Sequence, residues 1–158
     1  MAGDAKPFAD DELYIERIFH APAQLVFDMW SKREHMIHWM GPTNARCMAA
    51  EIDFRVGGEW SADIDMHADG FAYMGGRYLE IEPGRRIVKT FNWRTRSDDP
   101  ETVVTLTFRD LGDGRCLQTF HQTPFTTVPR RDSHIQGWTG CFDREQAYLA
   151  TLSPEPAQ

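Results

Sequence analysis

Between residues 49 and 122 the chain repeats one local pattern six times: a short run with apolar or β-branched residues at alternate positions, closed by a turn rich in Gly, Asp or Pro. The runs are 49–56, 59–66, 71–81, 86–93, 102–109 and 116–122. The turns fall at Gly57 and Gly58, at 68–70, at Pro83 and Gly84, at 97–100 and at 112–114. A period of two sends successive side chains to opposite faces, so each run reads as a strand. Linkers this short exclude parallel pairing, which needs a crossover of about a dozen residues or more. The segment is therefore an antiparallel meander. A further run over 12–19 alternates Leu13, Ile15, Arg17 and Phe19 with Glu12, Tyr14, Glu16 and Ile18, and brings the sheet to about seven strands.

A sheet of this size twists and cannot bury its apolar face against itself. Its cover is written at the end of the chain, where Ile135, Trp138, Phe142, Leu149 and Leu152 recur at helical spacing. Ser133 followed by Gln136 suits a capping box, which predicts a helix over 134–152 of roughly 19 residues, about 28 Å long. Two shorter helices are expected after the first strand. Pro22 opens one, with Leu25, Val26, Met29 and Trp30 on one side. Ser31 to Glu34 forms a capping box for the other, whose apolar face is Met36, Ile37 and Met40 and which Gly41 and Pro42 stop. The expected fold is α+β: one domain over 12–152, a curved antiparallel sheet wrapped around a long C-terminal helix. Residues 1–11 are polar and 153–158 carry two prolines, so both ends are expected to be flexible.

The net charge of −7 argues against nucleic acid and against an anionic membrane surface, both of which attract Lys and Arg. No apolar run opens the chain, so neither a secretion signal nor membrane insertion is expected. Cys47, Cys116 and Cys141 are an odd set without Cys-x-x-Cys spacing. They read as free thiols of a reducing compartment, which makes the cytoplasm the expected location.

Taken in order, the pieces resemble the START-like helix-grip superfamily, and within it the family named after the activator of heat-shock-protein-90 ATPase. The pieces that carry the resemblance are Ala21 and Pro22, 39–42, 54–58, Asp69 and Gly70, 76–81, 86–91, 104–108 and 117–121. In the last helix they are Gly137, Trp138, Phe142, Asp143, Tyr148 and Leu149. The resemblance implies an elongated cavity between the long helix and the curved sheet. It also implies the superfamily's range of roles, from binding lipids, sterols, polyketides and plant hormones to cyclase and hydrolase activity. A chaperone partner is not expected, because the chain lacks the additional N-terminal domain that such a co-chaperone carries.

The large side chains suit an apolar cavity. Trp39, Trp60, Met66 and Tyr73 lie on or beside its expected walls, as do Tyr78, Phe91, Trp93 and Leu106. On the final helix Trp138, Cys141 and Phe142 fall on or near the apolar stripe. Flat aromatic and soft thioether surfaces accept apolar ligands without demanding one shape. On the last strand Leu117, Thr119 and His121 share a face, and the face that begins with Leu is expected to point inward. His121 would then be the polar contact of the cavity, able to orient a carbonyl or move a proton. Glu80, on a face with Tyr78, is expected to pair with an arginine or face water.

No metal or cofactor is expected. His35 with His38, and Asp65 with His67, each offer two ligands but no third at a matching spacing. Gly57 with Gly58 and Gly75 with Gly76 lack the strand-to-helix setting of a phosphate loop. The expected function is binding of a small apolar or aromatic molecule. An enzyme of the cyclase, dehydratase or hydrolase kind in the same cavity, and a protein-interaction module, are the alternatives. The open edges of the sheet offer a route to a homodimer.

Overall fold

The computed structural model describes residues 9–94 and 100–152, with the backbone of 5 and 6. Its strands are β1 (Ala5–Lys6), β2 (Leu13–Phe19), β3 (Arg46–Ile52), β4 (Glu59–Asp65), β5 (Phe71–Glu82), β6 (Arg86–Trp93), β7 (Thr102–Gly112) and β8 (Arg115–Thr123). They form one antiparallel sheet in the order β1-β2-β8-β7-β6-β5-β4-β3. The meander expected from the period-two runs is β3 to β8, and β2 closes it by pairing with β8, Ile15 opposite Phe120. Most of the turn expected at 97–100 lies outside the described residues, as do 153–158. The stretch read as a flexible N-terminal end supplies β1, and its residues 9 and 10 are held by Arg131, whose Nη1 donates to the carbonyls of Ala9 and Asp10.

Helices α1 (Ala23–Ser31) and α2 (Arg33–Trp39) follow β2. Ser31 does not cap α2. It is the last residue of α1, and the break falls at Lys32, which has extended backbone and makes no side-chain cap bond. Helix α3 (Val128–Leu152) begins six residues before the expected start, so its 25 residues span roughly 37 Å. The cap is Thr127, whose hydroxyl accepts from the Arg130 N–H at 3.2 Å, and Pro129 sits in the first turn, where no donor is needed. Strand β3 starts at Arg46 and stops at Ile52, short of the expected 56, because 53–58 turn tightly with Gly57 at φ +86°. A β-bulge interrupts β3 between Cys47 and Ala49, and the Arg33 Nε of α2 donates to the Ala50 carbonyl at 2.7 Å.

The core lies between α3 and the concave face of the sheet, with α1 wedged beneath the helix. Trp30 of α1 is its centre, with ring centroids 4.8 Å from Trp39, 6.0 Å from Phe142 and 6.1 Å from Phe120. This cluster fills the middle of the space in which an elongated cavity was expected. Leu106, Trp39 and Phe142 are fully buried, and none of them lines the open cleft at the end of the grip.

Candidate functional site

What the aromatic cluster leaves open is a cleft of about 630 Å³ at one end of the grip. One wall is the N-terminal half of α3, with Arg130, Ser133, His134, Gly137, Trp138 and Cys141. The loop that follows α2 forms the second, through Met40 to Thr43. Met66 and Asp69 from the β4–β5 turn, Phe71, Ala72 and Met74 of β5, and Trp93 of β6 form the third. Two glycines of α3 shape it. A Cβ on Gly140 would lie 2.9 Å from the Thr43 backbone nitrogen, so only glycine lets the loop approach the helix there. A Cβ on Gly137 would meet nothing within 4 Å, so that position opens the cleft.

Both cleft tryptophans are fixed by their indole nitrogens. Trp138 Nε1 donates to Gln122 Oε1 at 2.8 Å, and Gln122 Nε2 donates on to Thr102 Oγ1 at 2.9 Å. Trp93 Nε1 donates to His134 Nε2 at 2.8 Å, and His134 Nδ1 donates to the Arg130 carbonyl at 2.9 Å. Since a carbonyl only accepts and an indole N–H only donates, His134 is the neutral tautomer with its proton on Nδ1. The loop is stapled to the helix as well. Arg144 Nη1 donates to the carbonyls of Met40 and Gly41, and the Gly41 N–H points at Cys141 Sγ, 3.3 Å away. Burial pushes the Cys141 thiol far above its ordinary range, so it stays protonated. The aromatic and thioether faces are thus held in place before any ligand arrives.

Of the residues expected to bind, Met66, Trp93, Trp138 and Cys141 line this cleft. Phe91 and Trp60 stand behind it, Phe91 stacked edge-on against Trp93 and Trp138. Tyr78 is buried on the inner face of β5, and Tyr73 is exposed on the outer one. The expected facing of β8 is reversed. Cys116, Gln118, Phe120 and Gln122 point inward, while Leu117, Thr119 and His121 lie on the outer face. There His121 Nε2 meets Glu12 Oε1 at 3.2 Å, and Thr119 shares a hydrogen bond with Thr107. The reversal goes with partners for the glutamine oxygens: Gln118 accepts from the Trp30 indole and Gln122 from that of Trp138. Only Gln122 also has a partner for its nitrogen, the Thr102 hydroxyl, while Gln118 Nε2 is buried without one among the described residues. Glu80 faces solvent and pairs with Arg86 at 3.4 Å, because a bulge between Tyr78 and Glu80 turns it away from Tyr78. His35 bonds the Tyr148 hydroxyl and His38 stacks on the same ring. Among the described residues no His, Cys, Asp and Glu group could hold a metal ion, and no helix is long and apolar enough to cross a membrane.

The sequence profile of the Activator of Hsp90 ATPase homolog 1-like protein family, AHSA1, matches residues 20–150. The chain belongs to that family. It is accordingly a member of the START-like superfamily. Protein CV1439 from Chromobacterium violaceum is 25% identical, with 93% of this chain and all of that one aligned at a TM-score of 0.80. The AHSA1 protein SPO3351 from Silicibacter pomeroyi is 21% identical over 90% of this chain and 99% of that one, at a TM-score of 0.78. Protein Ms6760 from Mycobacterium smegmatis is 15% identical over 98% and 99%, at 0.81, a likeness of fold alone. No curated protein matches.

Three ionisable side chains, Lys89, Glu145 and Arg17, are buried within this AHSA1-family fold. Lys89, on the inner face of β6, is 1% exposed, and its Nζ lies 3.9 Å from the Trp60 ring centroid and 5.0 Å from that of Trp30. No carboxylate or carbonyl accepts from it among the described residues. Burial lowers the amine to about 7, and the Cys141 thiol only partly opposes this. Glu145 of α3 is fully buried, and neither of its oxygens has a hydrogen bond of normal geometry. Burial drives its carboxyl well above the usual range, with the Gln118 and Trp30 donors and the Arg17 charge pulling it partway back. Arg17, 1% exposed, reaches Asp143 Oδ1 at 2.7 Å and leaves Nε and Nη2 unpartnered. None of these inward-facing ionisable groups was expected, although the alternation Ile87, Lys89, Phe91 carries the signal for the lysine.

Proposed function

We propose that the protein binds a small apolar or aromatic molecule in the cleft between α3, the loop after α2 and the β4–β5 hairpin. The observation that carries this reading is the cleft itself: about 630 Å³, within the ~300–1,000 Å³ of drug-sized ligand sites. Its walls are Met40, Met66, Phe71, Met74, Trp93 and Trp138, a set of flat and soft surfaces with a polar rim of Asp69, Ser133 and His134. The fixed indoles lower the ordering cost of binding. Three buried cysteines that form no disulfide are in keeping with a reducing compartment.

The test is a thermal-shift screen of aromatic and lipid compounds, alongside native mass spectrometry of the freshly purified protein. Gly137→Phe is the matched control, because Gly137 lines the cleft and a Cβ there meets nothing within 4 Å. Ligands that raise the melting temperature of the wild type and not of Gly137→Phe support the site. Absence of any ligand effect across the screen, or an equal shift in both proteins, removes it.

A further inference from the structure

Along the aromatic wall of the cleft the polar atoms are already bonded within the protein. The Trp138 and Trp93 indole nitrogens donate to Gln122 and His134, and His134 uses both of its ring nitrogens. The carbonyls of Met40 and Gly41 accept from Arg144, while the Cys141 sulfur faces the Gly41 N–H and the Met40 thioether. A polar ligand group pressed against this wall would shed its water without gaining a partner, which is costly. A hydrocarbon end escapes that cost and gains the faces of Trp93, Trp138 and Met74. The mouth is different. Arg130 and Ser133 stand one turn apart on α3, on the face that continues to Gly137, and Gln136 lies beside them. All three side chains carry N–H or O–H donors. Arg130 is half-buried, so water screens its charge less than on an open surface. Asp69, the carboxylate among the residues that line the cleft, is exposed on the β4–β5 turn.

We infer that the ligand is an amphipathic carboxylate, bound with its hydrocarbon end against Trp93 and Trp138 and its carboxylate on Arg130, with Ser133 as the second donor. The inference rests on the ligand-binding reading above and names the ligand's chemical class and its orientation. A guanidinium presents paired N–H groups that match the two oxygens of a carboxylate. The lining residues include one arginine and one carboxylate, so the mouth suits a single negative charge better than the nearly two of a phosphate ester. Ser133 adds a hydroxyl one turn along the same helix face, and Gly137 beyond it leaves room for the ring system that follows the carboxylate.

The experiment is isothermal titration calorimetry at pH 7 with 2-naphthoic acid, 2-naphthamide and 2-naphthylmethylamine, an anion, a neutral compound and a cation on one ring system. The wild type is expected to bind the acid about tenfold more tightly than the amide, the lower end for a charge-assisted hydrogen bond, and the amine most weakly. Arg130→Gln keeps the backbone carbonyl on which His134 rests. It is expected to weaken the acid about tenfold and to leave the amide within about twofold, which also shows that the cleft is intact. Ser133→Ala is expected to cost the acid about threefold. Equal binding of acid and amide by the wild type, or a loss in Arg130→Gln that both compounds share, overturns the inference and leaves the cleft as a binding site. Tightest binding of the amine points to Asp69 and overturns it too, as does acid binding that persists in Gly137→Phe. If none of the three compounds binds, the carboxylate is rejected, and the screen of aromatic and lipid compounds decides whether the cleft is rejected with it.

Discussion

Replacing Lys89 with methionine removes a buried charge while keeping an unbranched side chain against Trp60 and Trp30. The amine has its ordinary value of 10.5 when the chain is unfolded and about 7 in the fold. At ~1.4 kcal/mol per pH unit this difference amounts to roughly 5 kcal/mol. Between pH 7 and pH 10.5 the unfolded chain holds a proton that the folded one has released, so stability rises with pH across that window. Below the window both states are protonated and the whole cost is present; above it both are neutral and none remains. The aromatic faces return ~1–2 kcal/mol to the ammonium. Lys89→Met is then about 3 kcal/mol more stable than the wild type at pH 6, or roughly 6–12 °C in melting temperature for a chain of this size. The assay is urea unfolding of both proteins at pH 6, 8 and 10 under reducing conditions. Taking the difference cancels every other titrating group. A difference that is equal at pH 6 and pH 10, or a variant less stable at pH 6, refutes the reasoning.

The two glycines of α3 give a matched pair. Gly137→Ala is expected to stabilise by ~1 kcal/mol through helix propensity alone, since its Cβ meets nothing. Gly140→Ala is expected to cost ~1–3 kcal/mol, because its Cβ would strike the Thr43 backbone; chemical denaturation of both variants checks the opposite signs. Glu145→Gln is expected to raise stability at pH 7 and to match the wild type near pH 4. Burial keeps the Glu145 carboxyl protonated in the fold, whereas the unfolded chain releases the proton above about 4.5, so stability is lost as pH rises. A difference between the two proteins that does not shrink toward pH 4 would contradict that assignment.

The sheet and the long helix could be read from the sequence because both rest on periodicity, which survives without knowledge of neighbours. The facing of β8 could not. Weighting the face by its leading Leu put Leu117, Thr119 and His121 inward, but Gln118 and Gln122 are buried with their side-chain oxygens accepting from two indoles in other parts of the chain. The same weighting hid Lys89. Its alternation with Ile87 and Phe91 points inward, yet a lysine is ordinarily counted as solvated. The start of α3 was missed for a local reason, since Thr127 with Pro129 is a helix opening that Ser133 and Gln136 imitate later. The cleft lies furthest from sequence reasoning. It exists because Gly140 admits Thr43 while Gly137 leaves room one turn away, and which glycine does which is decided only when the loop and helix meet.

The outer border of the sheet has a bearing on how the protein behaves in concentrated solution. A bare terminal strand is a template on which another chain can add, the usual first step of aggregation or strand exchange. At β3 that template is spoiled. The bulge at Cys47 and Ala49 breaks the even spacing of backbone donors and acceptors, the Arg33 side chain occupies the Ala50 carbonyl, and Arg46 and Glu51 stand exposed along the strand. A second molecule approaching this border finds a kinked, partly occupied and charged rim.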